Sequence, residues 1–142
     1  GTHMSQSNAA TMVSVMRECL SRAGRPADGV GYVNAHASST VQGDMEEAKA
    51  IASMFGPDVP VSSLKGHLGH SLAACGTLEV IAGIKMMQEK LLIPTRNLTE
   101  IAEDCRGIRH LQELEPAPLE AFLSNNFAFG GMNTCLLVSA AN

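Results

Sequence analysis

A chain of 142 residues has room for about one domain. Apolar residues make up 45% of it and charged residues 17%, a globular balance that excludes a disordered chain, and no apolar run reaches the roughly 18 residues of a bilayer-crossing helix. The formal net charge of −4 argues against a nucleic-acid footprint.

Residues Gly1–Met4 read as a scar of tag removal, which sets His3 aside and leaves His36, His67, His70 and His110. No signal-peptide pattern is present. The cysteines, Cys19, Cys75, Cys105 and Cys135, form no C-x-x-C pair. They read as free thiols of a reducing compartment, so the expected location is cytoplasmic and a zinc site is not expected. No membrane contact, metal or nucleic-acid partner is expected.

Ala9, Met12, Val13, Met16, Cys19, Leu20 and Ala23 recur at helical spacing, with Ser7 or Asn8 able to cap and Gly24 and Pro26 ending the helix. Val30 to Ala35 is β-rich and reads as a strand, followed by a polar loop from His36. Asp44 is expected to cap a second helix, with Glu47 in the capping-box position and Met45, Ala48, Ile51, Ala52 and Phe55 as its apolar stripe. Val59 to Ser63 reads as a short strand with Pro60 near its start.

A third helix is expected from about His70 or Ser71 to about Lys90. Between Leu72 and Ile84 its only charge is Glu79, so it reads as a helix covered on both sides. An extended connection runs on to about Glu120. The chain then closes with strands joined through Gly130-Gly131. The order α-β-α-β-α-β-β predicts a layered α/β domain with a mixed, mostly parallel sheet and an antiparallel C-terminal hairpin.

Ligands of layered α/β folds gather at the carboxyl ends of strands. Three segments fall there: His36, then Lys65-Gly-His-Leu-Gly-His70, then Asn125 to Gly131. His36 read locally is either a histidine satisfied by a turn carbonyl or a functional group. His70, at an expected helix N-terminus, is favoured as neutral imidazole by the helix dipole. Two neutral imidazoles aimed at one oxygen would stabilise a developing enolate or oxyanion.

Lys65 is either a surface residue or the partner that a buried Glu79 requires. His67 and His70 lack a third ligand, so metal binding is not expected. Cys75 reads first as a packed small residue. Phe127 and Phe129 alternate on an extended chain and should point to opposite faces, so either one lines a pocket while the other packs in the core, or both are core aromatics before a tight turn.

Taken together these segments resemble the C-terminal half of a β-ketoacyl-acyl-carrier-protein synthase of the elongating, thiolase-superfamily type. The family pattern N-A-H-G-T-S-T resembles Asn34 to Thr40. The pattern S-S-x-K-x-x-x-G-H, with a small-residue helix ending in glutamate, resembles Ser62 to His70 and on to Glu79. The pattern N-S-F-G-F-G-G-x-N resembles Asn125 to Asn133.

The resemblance implies that residues 5–142 form a thiolase-like domain. It implies that His36 and His70 hold the malonyl thioester carbonyl during decarboxylation, supported electrostatically by Lys65 and Glu79. Phe127 would be a gate whose N–H joins the oxyanion hole. Ser38 and Thr40, with Phe127 and Phe129, would meet the substrate on its phosphopantetheine arm. Acyl-carrier protein, an N-terminal half and a second copy of the chain are the implied partners, with no cofactor beyond that arm.

Departures from the family pattern are Ala37-Ser38 for Gly-Thr, Ala128 for glycine, Cys75 for a common alanine, and Gly66 and His67 where serine and methionine or asparagine are often found. The family's nucleophilic cysteine belongs to the N-terminal half. None of the cysteines here sits in such a context, so this chain alone is expected to be inactive. The alternatives are a ketosynthase-like partner that shapes a cavity or initiates without condensing, a thiolase, and a module that only binds acyl-carrier protein.

Overall fold

The computed structural model describes residues 8–141, so Gly1–Met4 and the Ser7 alternative lie outside the described residues, as does the side chain of Phe129. Helix α1 (Ala9–Arg22) is capped by Asn8, whose side chain accepts from the Ala10 N–H, and it buries Met12, Met16 and Leu20. Strand β1 (Tyr32–Asn34) follows, wholly buried. Helix α2 (Val41–Phe55) starts three residues earlier than the expected Asp44 cap, with Thr40 as its N-cap. Strand β2 (Pro60–Ser62) leads into a short helix α3 (Lys65–Leu68).

Helix α4 (Cys75–Glu89) is where the sequence expectation needs correcting. It begins five residues after His70, behind a 3-10 turn at Leu72–Ala74. The glycine-containing segment before it is used for α3 and a left-handed turn at Gly69, φ 74°. The long connection also contributes β3 (Leu91–Leu92), β4 (Arg109–His110) and β5 (Glu115–Pro116), and the chain ends in β6 (Ala121–Phe127) and β7 (Asn133–Ser139).

The main sheet runs β4-β2-β1-β6-β7. Its first four strands are parallel neighbours and β7 is antiparallel to β6. This is the expected mixed sheet with a terminal hairpin. The addition is β4, a two-residue strand at the far edge, while β3 and β5 pair apart.

One face of the sheet packs on α1 and α2 around Met12, Met16, Ile51, Val33, Leu123 and Phe127. The other packs on α4 around Tyr32, Leu64, Met86 and Phe122. Gly83 lets α4 approach closely, because a Cβ there would overlap the Phe122 ring. The outer side of α4 is bare: Leu78, Ile81 and Ile84 are exposed, where covering on both sides was expected. Among the described residues no helix is long and apolar enough to cross a membrane.

Candidate active site

Strands β2, β1 and β6 are adjacent and parallel, so their carboxyl ends open on one edge. His36 lies two residues beyond β1, Lys65 three beyond β2, and Phe127 is the last residue of β6. The His36 and His70 rings stand 5.7 Å apart between centroids at 83°, edge to face. The Phe127 ring is 6.2 Å from that of His36. The topology thus brings the predicted segments together.

His36 is held through its backbone. Glu47 Oε1 accepts from the His36 N–H at 2.9 Å and Oε2 from the Ala37 N–H at 2.8 Å. Glu47 is therefore not a capping-box residue: it turns toward the sheet, where Asn125 Nδ2 also donates to it at 3.3 Å. Burial pushes its carboxyl up to about 7 against the opposing pull of those N–H donors and Lys65. Asp44, expected as the cap, instead accepts from the Ser38 N–H at 3.1 Å and fixes the loop after His36. Burial raises its carboxyl as well.

The His36 ring itself is free of this scaffold. Its Nδ1 is buried without a hydrogen-bond partner among the described residues, so the turn-carbonyl reading fails for that atom. Burial, then the charge of Lys65 and the neighbouring His70, lowers its pKa to about 4. Near neutral pH the ring is uncharged, with one N–H and one lone pair.

His70 is exposed and sits in the loop between α3 and the 3-10 turn. The dipole of α4 does not act on it as expected, because the helix begins at Cys75. Locally, the Leu72 N–H donates to His70 Nδ1 at 3.2 Å. An acceptor Nδ1 carries the lone pair, so the ring proton resides on Nε2 and is available to a ligand.

Lys65 and Glu79 form the buried pair that the sequence called for. Nζ lies 2.6 Å from Oε1, with side-chain exposures of 8% and 2%. Asn126 Nδ2 supports the other carboxylate oxygen at 3.5 Å. The neighbouring asparagines at the end of β6 point to opposite faces, Asn125 to Glu47 and Asn126 to Glu79. Sequence reasoning missed Glu47, Asn125 and Asn126. The signal was the Asn-Asn step inside an apolar strand, since a buried and a half-buried amide on opposite faces each call for a partner.

Phe127 is buried at the mouth. Ala128 N–H bonds Met132 O, and Phe127 pairs with Asn133. By the alternation of an antiparallel ladder, the Phe127 N–H then points away from β7, toward the side on which β1 ends. The strand stops at Phe127 and a 3-10 turn spans Phe129–Gly131, so the expected alternation of Phe127 and Phe129 along one strand does not hold.

Ser38 is half-buried and Thr40 exposed. Thr40 lines a cavity of about 360 Å³ with Asp44, Ser63 and Thr95. His67 Nε2 meets Pro94 O at 2.9 Å and His110 Nε2 meets Cys105 O at 2.8 Å, so both serve the loops. Among the described residues no group of three or more His, Cys, Asp or Glu is placed to hold a metal ion.

Two imidazoles and a backbone N–H turned away from β7, on a single edge, suit an oxygen that gains charge. The sequence agrees with that chemistry. The family "Beta-ketoacyl synthase, C-terminal domain" matches residues 1–99. Over 110 residues, 77% of this chain and 27% of the relative, the chain is 36% identical to "3-oxoacyl-[acyl-carrier-protein] synthase 1" of Escherichia coli (strain K12). The "Crystal structure of a Beta-ketoacyl synthase from Burkholderia phymatum STM815" is 43% identical with a TM-score of 0.95, covering 100% of this chain and 35% of that one.

A solved complex of a "type II PKS acyl-carrier protein" with "its ketosynthase bound to the hexaketide" superposes with a TM-score of 0.91 at 27% identity, over 100% of this chain and 36% of that one. The chain therefore spans between about a quarter and about a third of the length of these relatives. With the fold, the edge and the matched motifs in agreement, the chain belongs to the β-ketoacyl synthase family, as its C-terminal domain.

Proposed function

We propose that residues 5–142 are the C-terminal domain of a condensing enzyme of fatty-acid or polyketide synthesis, and that His36 and His70 are its oxyanion donors. The thioester oxygen of a malonyl group sits between their N–H groups. Carbon dioxide leaves, and its bonding electron pair moves onto the α-carbon and the thioester oxygen as an enolate. The α-carbon then attacks an acyl thioester held on a cysteine of the missing N-terminal part, and the cysteine thiolate departs. The edge-to-face rings 5.7 Å apart carry this reading.

Such donors suit the task because they are already aimed where charge develops in the transition state. Lys65 and Glu79 hold the floor of the site as a matched pair. Phe127 acts as the gate beside His36, with its N–H serving the acyl carbonyl of the second step. Ser38 and Thr40 contact the pantetheine arm of acyl-carrier protein, which delivers the substrate without a further cofactor. A complex of such a carrier with its ketosynthase exists among the structural neighbours.

The chain alone is inactive in this account, because the nucleophile belongs to its complement. The exposed Leu78, Ile81 and Ile84 of α4 support an apolar partner there, the N-terminal part or a second copy. The free cysteines fit a cytoplasmic setting.

The test mixes the chain with its N-terminal complement and measures malonyl decarboxylation. Activity that appears only in the mixture, and falls in His70→Ala, is expected. Carrier-protein binding with no turnover in the mixture would favour a binding module instead.

A further inference from the structure

His70 has a neighbour whose burial fits core packing but whose contact with the imidazole does not follow from it. Cys75 is the first residue of α4 and is 3% exposed. Its Sγ lies 3.3 Å from His70 Nδ1. The Ser71 hydroxyl donates to the same sulfur at 3.5 Å. Nδ1 already accepts the Leu72 N–H, so it has no proton to give. The thiol is the partner of this pair that carries one.

We infer that Cys75 is a positioning residue for His70: its S–H, polarised by the Ser71 O–H, donates to Nδ1 and keeps the ring proton on Nε2, facing the site edge. The relay runs Ser71 O–H to Cys75 S–H to His70 Nδ1, and bonds in such a chain reinforce one another. His70 is exposed and follows Gly69, so nothing else in its loop holds the ring through Nδ1 except the Leu72 N–H. A second donor on the same atom disfavours the tautomer that would turn a lone pair toward the ligand. An imidazole that offers a lone pair cannot donate to an enolate oxygen.

The buried thiol has no open approach for a substrate, so its part is played through His70 and not as a nucleophile. This inference rests on His70 being an oxyanion donor as far as activity goes; the contact itself does not.

The experiment is nitrogen-15 NMR of the histidine side chains in the full chain, with His70 assigned through His70→Gln. In the wild type and in Cys75→Ser, whose hydroxyl can replace the thiol, His70 shows the Nε2–H tautomer. In Cys75→Ala and Cys75→Val the ratio of Nε2–H to Nδ1–H falls about two- to tenfold, the worth of one modest hydrogen bond. An unchanged ratio in the apolar variants overturns the inference.

If those variants fail to fold, the wild-type S–H stretch in the infrared decides. A band shifted to low frequency, absent from His70→Phe, supports the bond, and its absence from the wild type overturns it. In the reconstituted enzyme, Cys75→Ala lowers the decarboxylation rate and Cys75→Ser recovers most of it. If the tautomer responds but His70→Ala leaves decarboxylation intact, the oxyanion reading fails and the relay stands.

Discussion

Replacing Lys65 by methionine removes one half of a pair whose members are both out of water. Among the described residues Glu79 would then keep the Asn126 amide, at 3.5 Å. Stripping the cation from a buried ion pair costs about 3–5 kcal/mol, since the remaining charge is desolvated without a counterion. With a urea slope of about 1–3 kcal/mol per molar for a chain of this size, the unfolding midpoint should fall by roughly 2 M.

Glu79→Leu should cost less, because Lys65 has a long stem and can carry its ammonium outward. The double variant Lys65→Met/Glu79→Leu should lie within about 1–2 kcal/mol of the wild type, as apolar pairs often replace buried ion pairs without loss. The coupling energy from the four urea curves is then at least about 2 kcal/mol. A Lys65→Met cost below about 1 kcal/mol, or additive single effects, would refute the reasoning that the pair is buried and mutually dependent.

Gly83→Ala should destabilise the fold despite alanine's better helix propensity, because the new Cβ overlaps the fully buried Phe122 ring; overpacking of about 1–3 kcal/mol exceeds a propensity gain of up to about 1. A rise in the thermal midpoint would contradict the close approach of α4 to β6. Glu47 is raised from 4.5 to about 7 in the fold, so its contribution to stability is fullest below pH 4.5 and is lost as pH rises to about 7. His36 is lowered from 6.5 to about 4, so its contribution is full above pH 6.5 and is lost as pH falls to about 4. The slopes oppose each other between pH 4.5 and 6.5. In urea titrations Glu47→Gln should therefore lose stability on acidification across that window, and His36→Asn should gain it; equal slopes in both variants would exclude the assignment. Sedimentation should show concentration-dependent association of the chain that Ile81→Glu reduces, whereas a single monomer at high concentration would mean that the bare face of α4 needs no partner.

The parts of this molecule that repeat were readable from the sequence. The stripe of Met12, Met16 and Leu20 marks α1, and β-rich runs mark β1, β2 and β6. That Glu79 needs a cationic partner followed from charge, because a lone carboxylate inside an apolar helix is untenable; of the two readings of Lys65, the structure bears out the partner. The placement of His36 beside His70 followed from strand order, which sets their loops on neighbouring strands.

What escaped is non-periodic or long-range. The capping-box spacing of Asp44 and Glu47 is a local rule, and it was overruled by donors on the loop ahead of the helix. The break between Lys65 and Cys75 depends on Gly69 and on Leu72 at φ 49°, whose cost is settled by tertiary contacts. Strand β4 has two residues, too few for any alternation to show. The thiol of Cys75 could be placed in the core from its neighbours, but its aim at His70 is a matter of rotamer and turn geometry.

The most direct measurement is the malonyl decarboxylation rate of the reconstituted enzyme carrying His36→Ala, His70→Ala and both. If both imidazoles donate to one oxygen, each single change lowers the rate by about 10²–10³, and the double change costs less than the product of the singles. Rates near wild type in either single variant, or strictly multiplicative losses, would contradict a shared oxyanion.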